Sequence, residues 1–152
     1  MLVGLISDTH GLLRPEVAEA FAGVEHILHA GDVGSQDVLD GLERLAPVTA
    51  VRGNVDGGLD LPEVAMLELA GVRVVVVHGD RLASRTPENV AEAHPDADLV
   101  VFGHSHRPLV CRVGDVLVVN PGTAGRRRFR DPVSVARAEL HDDDAVVTLV
   151  ML

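Results

Sequence analysis
Apolar residues in this chain come in short runs, and most runs stop at a polar knot. Leu2-Val3-Gly4-Leu5-Ile6 leads into Ser7-Asp8-Thr9-His10-Gly11. His26-Ile27-Leu28-His29-Ala30 leads into Gly31-Asp32, and Val48 to Arg52 into Gly53-Asn54-Val55-Asp56-Gly57-Gly58. Nearly continuous apolar runs of this length predict strands buried on both faces. The stretches between them carry a helical period. Pro15 suits a first turn, Val17, Ala18 and Phe21 share a face, and Gly23 suits the end. Ser35 is the expected N-cap of a second helix bearing Val38, Leu39, Leu42 and Leu45, which Pro47 stops. The order β-α-β-α-β makes the three strands parallel. Their polar knots then share one sheet edge, where open α/β sheets bind ligands.

After residue 60 the pattern changes to hairpins. Val64 to Leu69 and Val72 to Val77 flank a turn at Ala70-Gly71, and the second run leads into His78-Gly79. Thr86-Pro87 starts a third helix, with Thr86 as N-cap and Val90 and Ala93 facing inward. Asp98 to Phe102 is a strand that leads into Gly103-His104-Ser105-His106. Leu109 to Val113 and Val116 to Asn120 predict a hairpin that returns Asn120-Pro121-Gly122-Thr123 to the side of His104–Arg107. Val133 to Leu140 and Ala145 to Val150 predict a last hairpin around three aspartates. βα units followed by hairpins imply an α/β fold of two packed sheets with helices outside.

Composition narrows the picture. A length of 152 residues fits a single domain over 1–152. Aromatics are 2%, so the core must be Val, Leu and Ala. The net charge of −10 argues against general binding to nucleic acid or an acidic membrane. It leaves room for a phosphate substrate where bound cations reverse the local field. One cysteine, Cys111, forms no internal disulfide. With no signal-peptide pattern at Met1 and no run near the ~20 residues of a membrane span, a cytoplasmic protein is expected.

The knots place Asp8, His10, Asp32, Asn54, His78, His104 and His106 at strand ends. These are oxygen and nitrogen donors without sulfur. The set suits Mn²⁺, Fe, Co²⁺, Ni²⁺ or Zn²⁺ rather than a thiolate site, and seven donors serve two metals sharing a carboxylate. His29 also ends a strand, and is expected to be a hydrogen-bonding neighbour of the site rather than a ligand.

Asp8-x-His10, Gly31-Asp32, Gly53-Asn54, His78 and Gly103-His104-x-His106 resemble the five motif blocks of the calcineurin-like metallophosphoesterases, in that family's order. The small size, the Gly-Asn-Val-Asp block and Asn120-Pro121-Gly122 resemble its compact bacterial and archaeal phosphodiesterase branch. That branch includes YfcE-type proteins and is related to the retromer subunit Vps29. The resemblance implies a four-layer α/β/β/α sandwich. It implies one metal on Asp8, His10, Asp32 and His106, with Asp32 bridging to a second completed by Asn54, His78 and His104. Manganese is the first expectation for both ions. Two such ions ~4 Å apart would lower the pKa of a shared water toward ~7, and the hydroxide would attack phosphorus in line.

Many members of the family continue the third block as Gly-Asn-His-Glu, and that histidine protonates the leaving group or contacts the phosphate. Here Val55 takes its place, and Asp56 is expected as a partial substitute in catalysis beside Asp32 and Asn54. The loss favours small phosphodiesters over alkyl monoesters. Arg107 and Arg126, with Asn54, are the candidate substrate contacts. Two alternatives stand beside this reading: a non-catalytic Vps29-like scaffold, and a phosphomonoesterase or nucleotidase using the same site. The apolar last hairpin exposes an edge, so a monomer and a homodimer both fit.

Overall fold
A computed structural model describes residues 1–152. The elements in chain order are β1 (Leu2–Ile6), α1 (Glu16–Ala20), β2 (His26–His29), α2 (Gln36–Glu43) and β3 (Val48–Ala50), then β4 (Val64–Leu69) and β5 (Val72–Val77). There follow α3 (Pro87–Ala93), β6 (Leu99–Val101), β7 (Leu109–Val113), β8 (Val116–Asn120), β9 (Ser134–His141) and β10 (Asp144–Met151). They form two five-stranded mixed sheets, in the orders β10-β9-β1-β2-β3 and β4-β5-β6-β8-β7.

The layers follow from which face each residue buries. Between the sheets lie Val3, Leu5 and Leu28 of one against Val74, Val76, Leu99, Val101 and Val119 of the other, with no aromatic residue. Phe21 packs with Val17, Val38 and Leu42 on the outer face of the first sheet, under α1 and α2. Phe102 packs with Val75, Val90 and Val100 under α3 on the outer face of the second. The result is the α/β/β/α sandwich.

The expected boundaries hold to within a few residues, with local exceptions. The first helix is shorter, with Pro15 at its cap position rather than inside it. Ser35 has the extended backbone of an N-cap, but its side chain makes no capping bond. Thr86 does cap α3, its Oγ1 accepting from the Asn89 N–H at 3.3 Å. β3 ends two residues early, because the Arg52 N–H donates to the Pro62 carbonyl rather than along the sheet. At the tips of the β4–β5 and β9–β10 hairpins, Ala70-Gly71 and Asp142-Asp143 all have positive φ, as two-residue hairpin loops require.

Two features fix the strand ends that carry the polar knots. First, the two sheets approach tightly at Gly103, just beyond β6. A Cβ there would strike the Ser7 Oγ and lie 2.8 Å from Asp8 Oδ2, so only glycine fits. Second, His29 at the end of β2 is fully buried. The Thr9 hydroxyl donates to the Val33 carbonyl at 2.9 Å, so it accepts from the His29 Nε2–H, also at 2.9 Å. His29 Nδ1 then accepts from the Gly31 N–H at 3.2 Å. The ring is neutral and ties the turn after β1 to that after β2, the neighbouring role expected for it.

Gly103→Ala is expected to lose about 1–3 kcal/mol of stability by overpacking, read from the urea midpoint. Burial pushes the His29 pKa down to about 4. The unfolded chain therefore takes up a proton near pH 6.5 that the folded chain refuses until about pH 4. The resulting stability is present above pH 6.5 and falls by about 3 kcal/mol as pH drops through that window. His29→Gln keeps a donor for Thr9 and is expected to flatten this slope in urea titrations at a series of pH values.

Candidate metal centre
All seven donors named from the sequence converge at the shared edge of the two sheets. Asp8 and His10 follow β1, Asp32 follows β2 and Asn54 follows β3; His78 follows β5, and His104 and His106 follow β6. Each sheet therefore supplies part of the site. Asp8, His10 and His106 form one cluster, and Asp32, His78 and His104 a second, with ligand atoms within 4.8 Å of one another in each. His10 Nε2 lies 3.9 Å from Asp8 Oδ1 and 3.6 Å from Asp32 Oδ2, so Asp32 lies between the clusters.

The backbone is shaped for this convergence. Asp8, His10, Asp32, His104 and His106 all have φ between 46° and 68°, a left-handed conformation uncommon for side-chain-bearing residues. Hydrogen bonds between knots hold it. The Asp8 N–H donates to the Gly31 carbonyl at 3.0 Å, and the His10 N–H to the Asp32 carbonyl at 2.9 Å. The His104 N–H donates to Asp8 Oδ2 at 3.1 Å, which also accepts from the Ser7 hydroxyl at 2.7 Å. Gly53 lies so close to Asp32 that a Cβ would meet its backbone N and carboxylate. The return strand behaves as expected: Asn120 Nδ2 donates to the Gly103 carbonyl at 3.1 Å and to Ser105 Oγ at 3.0 Å.

The donors face one another in a way that fits cations. Asp8 Oδ1 is buried with no hydrogen-bond partner. It lies 3.2 Å from His106 Nε2, which is 3.4 Å from His10 Nε2. His78 Nδ1 is 2.8 Å from the Ala30 carbonyl, so it carries hydrogen and donates. That leaves Nε2 to face Asp32 Oδ2 at 3.4 Å, Asn54 Oδ1 at 3.1 Å and His104 Nδ1 at 3.3 Å. Rotating the Asn54 amide would satisfy this cluster by hydrogen bonds alone; as oriented, its oxygen joins the other lone pairs. Oxygen and imidazole donors meeting around an unpartnered buried carboxylate oxygen fit borderline-to-hard divalent metals.

Protonation follows the same geometry. Burial lowers the pKa of His10 against the opposing pull of the Asp32 and Asp8 carboxylates, with Arg128 adding to the lowering, and burial lowers that of His104, with His78 and Arg85 adding. Both rings thus favour the neutral form that a metal ligand needs. Burial also opposes charge on His78, but in the protonated ring the Nε2–H donates to Asp32 and the Nδ1–H to the Ala30 carbonyl, and these outweigh it and raise its pKa. Burial pushes Asp32 up, and the His78 bond and charge overcome that to hold it down.

One other expectation is corrected. Asp56 is not positioned as a proton donor. It is buried, and its carboxylate accepts from the Val33, Gly34 and Gly53 N–H groups at 3.0, 2.9 and 2.9 Å. Its charge is spent on shaping the turns that carry Asp32 and Asn54. Val55 is half exposed, and its N–H donates to Asp32 Oδ1 at 3.1 Å. Arg107 is exposed and lines a hollow with Arg85, Thr86 and Ser105, the residue between His104 and His106. Arg126 is exposed in the loop beyond Gly125. Arg85 carries no sequence motif. Its stem packs over Gly79, and its Nη1 donates to the Gly79 carbonyl at 3.2 Å, placing a half-buried guanidinium beside the second cluster. Beyond Asn54 opens a cavity of about 410 Å³ lined by Arg52, Glu63, Gly79 and Arg81. Both guanidiniums bond Glu63 Oε1, at 3.0 and 2.9 Å.

Comparison with known proteins agrees with this geometry. The calcineurin-like phosphoesterase superfamily domain matches residues 1–143. A probable metallophosphoesterase of Methanothermobacter thermautotrophicus is 38% identical over 157 residues, covering 97% of this chain and 91% of that protein. A phosphodiesterase of Methanocaldococcus jannaschii is 30% identical, covering 80% of this chain and 83% of that protein. Among solved structures, Vps29 from Entamoeba histolytica superposes with a TM-score of 0.83 at 22% identity, over 100% of this chain and 99% of the other. A second, described as a novel archaeal phosphodiesterase, gives 0.77 at 24% identity, over 99% and 100%. The match along nearly the whole chain, together with the five knots at one sheet edge, makes this protein a member of the calcineurin-like phosphoesterase superfamily.

Proposed function
We propose that this chain is a two-metal phosphodiesterase acting on small phosphodiesters. The observation that carries the reading is the convergence of all seven donors into two clusters with Asp32 between them. Asp8, His10 and His106 would hold one divalent ion and Asn54, His78 and His104 the other, with Asp32 shared and manganese the first candidate. Such ions supply Lewis acidity toward phosphoryl oxygens and a lowered pKa for water.

The reaction adds a water oxygen to phosphorus and breaks one ester P–O bond. The departing oxygen takes a proton, and a monoester and an alcohol result. The chain's own residues set its limits. Val55 has no proton to give, and the Asp56 carboxylate is engaged by three backbone N–H groups. Leaving groups that depart without a protein acid are therefore favoured, and diesters are preferred to alkyl monoesters. Arg85, anchored over Gly79, adds fixed positive charge for a phosphoryl oxygen beside His104. The single cysteine fits a reducing cytoplasm. The edge strand β10 offers the pairing surface for a homodimer.

A scaffold reading is favoured by the superposition on Vps29. Against it stands the full set of seven donors, which a scaffold has no need to keep. The deciding experiment uses metal-stripped protein reloaded with Mn²⁺, Ni²⁺, Co²⁺, Zn²⁺ or Mg²⁺, and a matched pair of substrates, an aryl diester and its monoester. Metal-dependent hydrolysis with at least ~10-fold preference for the diester is expected. His104→Ala is expected to lower kcat/KM by ~100-fold or more. A folded protein that binds no metal and turns over neither ester would overturn the proposal in favour of the scaffold.

A further inference from the structure
The chain has three phenylalanines and no tryptophan or tyrosine. Phe21 and Phe102 are buried under helices, while Phe129 is 97% exposed. A protein so sparing of aromatics places one of its three rings in open water. Four exposed arginines surround it in Arg126-Arg127-Arg128-Phe129-Arg130, on a chain whose net charge is −10.

The loop that carries them stands at the rim of the metal centre. Its base is closed where Thr123 bridges Val133 and the Ser134 N–H donates to the Thr123 carbonyl at 2.9 Å. Its rising limb is pinned to the first knot. The Ala124 N–H donates to the Ser7 carbonyl at 3.0 Å, and Thr123 Oγ1 and the Gly125 N–H donate to the Asp8 carbonyl at 2.9 and 3.2 Å. Arg14 Nε donates to the Gly125 carbonyl at 2.9 Å, fixing the same limb from α1's side. Arg128 and Phe129 follow within four residues of that pinned limb. The Asp131 N–H donates to the Arg128 carbonyl at 3.1 Å, closing a turn around Phe129 and Arg130.

We infer that this loop recognises a nucleoside-bearing arm of the diester, with the base stacked on Phe129 and the flanking Arg128 and Arg130 offering guanidinium donors to its phosphate. The inference rests on the phosphodiesterase reading and adds the substrate class to it. A free aromatic face beside guanidinium donors is the combination that holds nucleotides without reading their sequence. A single ring and the acidic surface elsewhere restrict the ligand to the size of a mononucleotide or dinucleotide, and a long strand is excluded by charge.

Two readouts test this. In the first, Mn²⁺-loaded wild type, Phe129→Ala and Arg128→Gln hydrolyse thymidine 5′-(4-nitrophenyl phosphate) and methyl 4-nitrophenyl phosphate. These diesters share a leaving group and differ in the other arm. Phe129→Ala is expected to raise KM for the thymidine ester roughly 5- to 20-fold, with kcat and the methyl ester nearly unchanged. Equal effects on both esters, or none on either, overturn the inference. The second readout needs no turnover. The Zn²⁺-loaded protein is titrated with adenosine 5′-monophosphate or methyl phosphate, and ring-proton NMR follows Phe129, assigned by the signal lost in Phe129→Leu. A shift with the nucleotide alone supports the inference, and does so even if neither ester is hydrolysed, when only the phosphodiesterase reading falls. A shift with anionic lipid vesicles and none with the nucleotide overturns it in favour of a membrane contact.

Discussion

The arrangement of the centre depends on one carboxylate. Asp8 is fully buried, and its two oxygens have opposite fates. Oδ2 accepts from the Ser7 hydroxyl and from the His104 N–H, so it joins the end of one sheet to the end of the other. Oδ1 has no hydrogen-bond partner and looks toward His106. A buried unpaired oxygen is costly, at about 1–3 kcal/mol or more for a charged group. Here the cost is borne where it creates a demand for positive charge. The left-handed backbone at Asp8, His10, Asp32, His104 and His106 has the same logic, since strain is concentrated at the residues whose direction matters.

Around that carboxylate the polar residues divide into those that face the centre and those that hold its turns. Asp56 and His29 belong to the second group. Asp56 gathers three backbone N–H groups from two different turns, and His29 bridges Thr9 and Gly31. Both are buried and chemically capable, and both are committed to backbone. A reactive side chain near a site is thus a candidate for catalysis only while it retains a free lone pair or proton.

What was legible in the sequence was whatever periodicity and punctuation encode. Apolar runs ending in Gly-Asp, Gly-Asn or His-x-His marked strands and their carboxyl ends, and parallel connections then placed five distant knots on one edge. The Val, Leu and Ala core between the sheets followed from the near absence of aromatics. Side-chain direction was not legible. The sequence could not reveal that Asp56 turns inward to Val33 and Gly34, nor that Arg85 folds back over Gly79 to stand beside His104. Ser35 shows the limit at a helix end: the residue type and backbone suit a cap, but the side-chain bond is absent.

The layer between the sheets has a mechanical meaning. Val, Leu and Ala present low, rounded surfaces, and no ring from one sheet keys into the other. Such a layer resists separation strongly, because parting it exposes apolar surface, but its apolar attraction is non-directional and does not by itself select one register. At the ligand edge, shear is resisted by a few polar pins, the His104 N–H on Asp8, His78 on the Ala30 carbonyl and Thr123 on the Asp8 carbonyl. The centre is therefore also the latch that sets the register of one sheet over the other, and a shift of that register would be felt first as a change in the spacing of its donors.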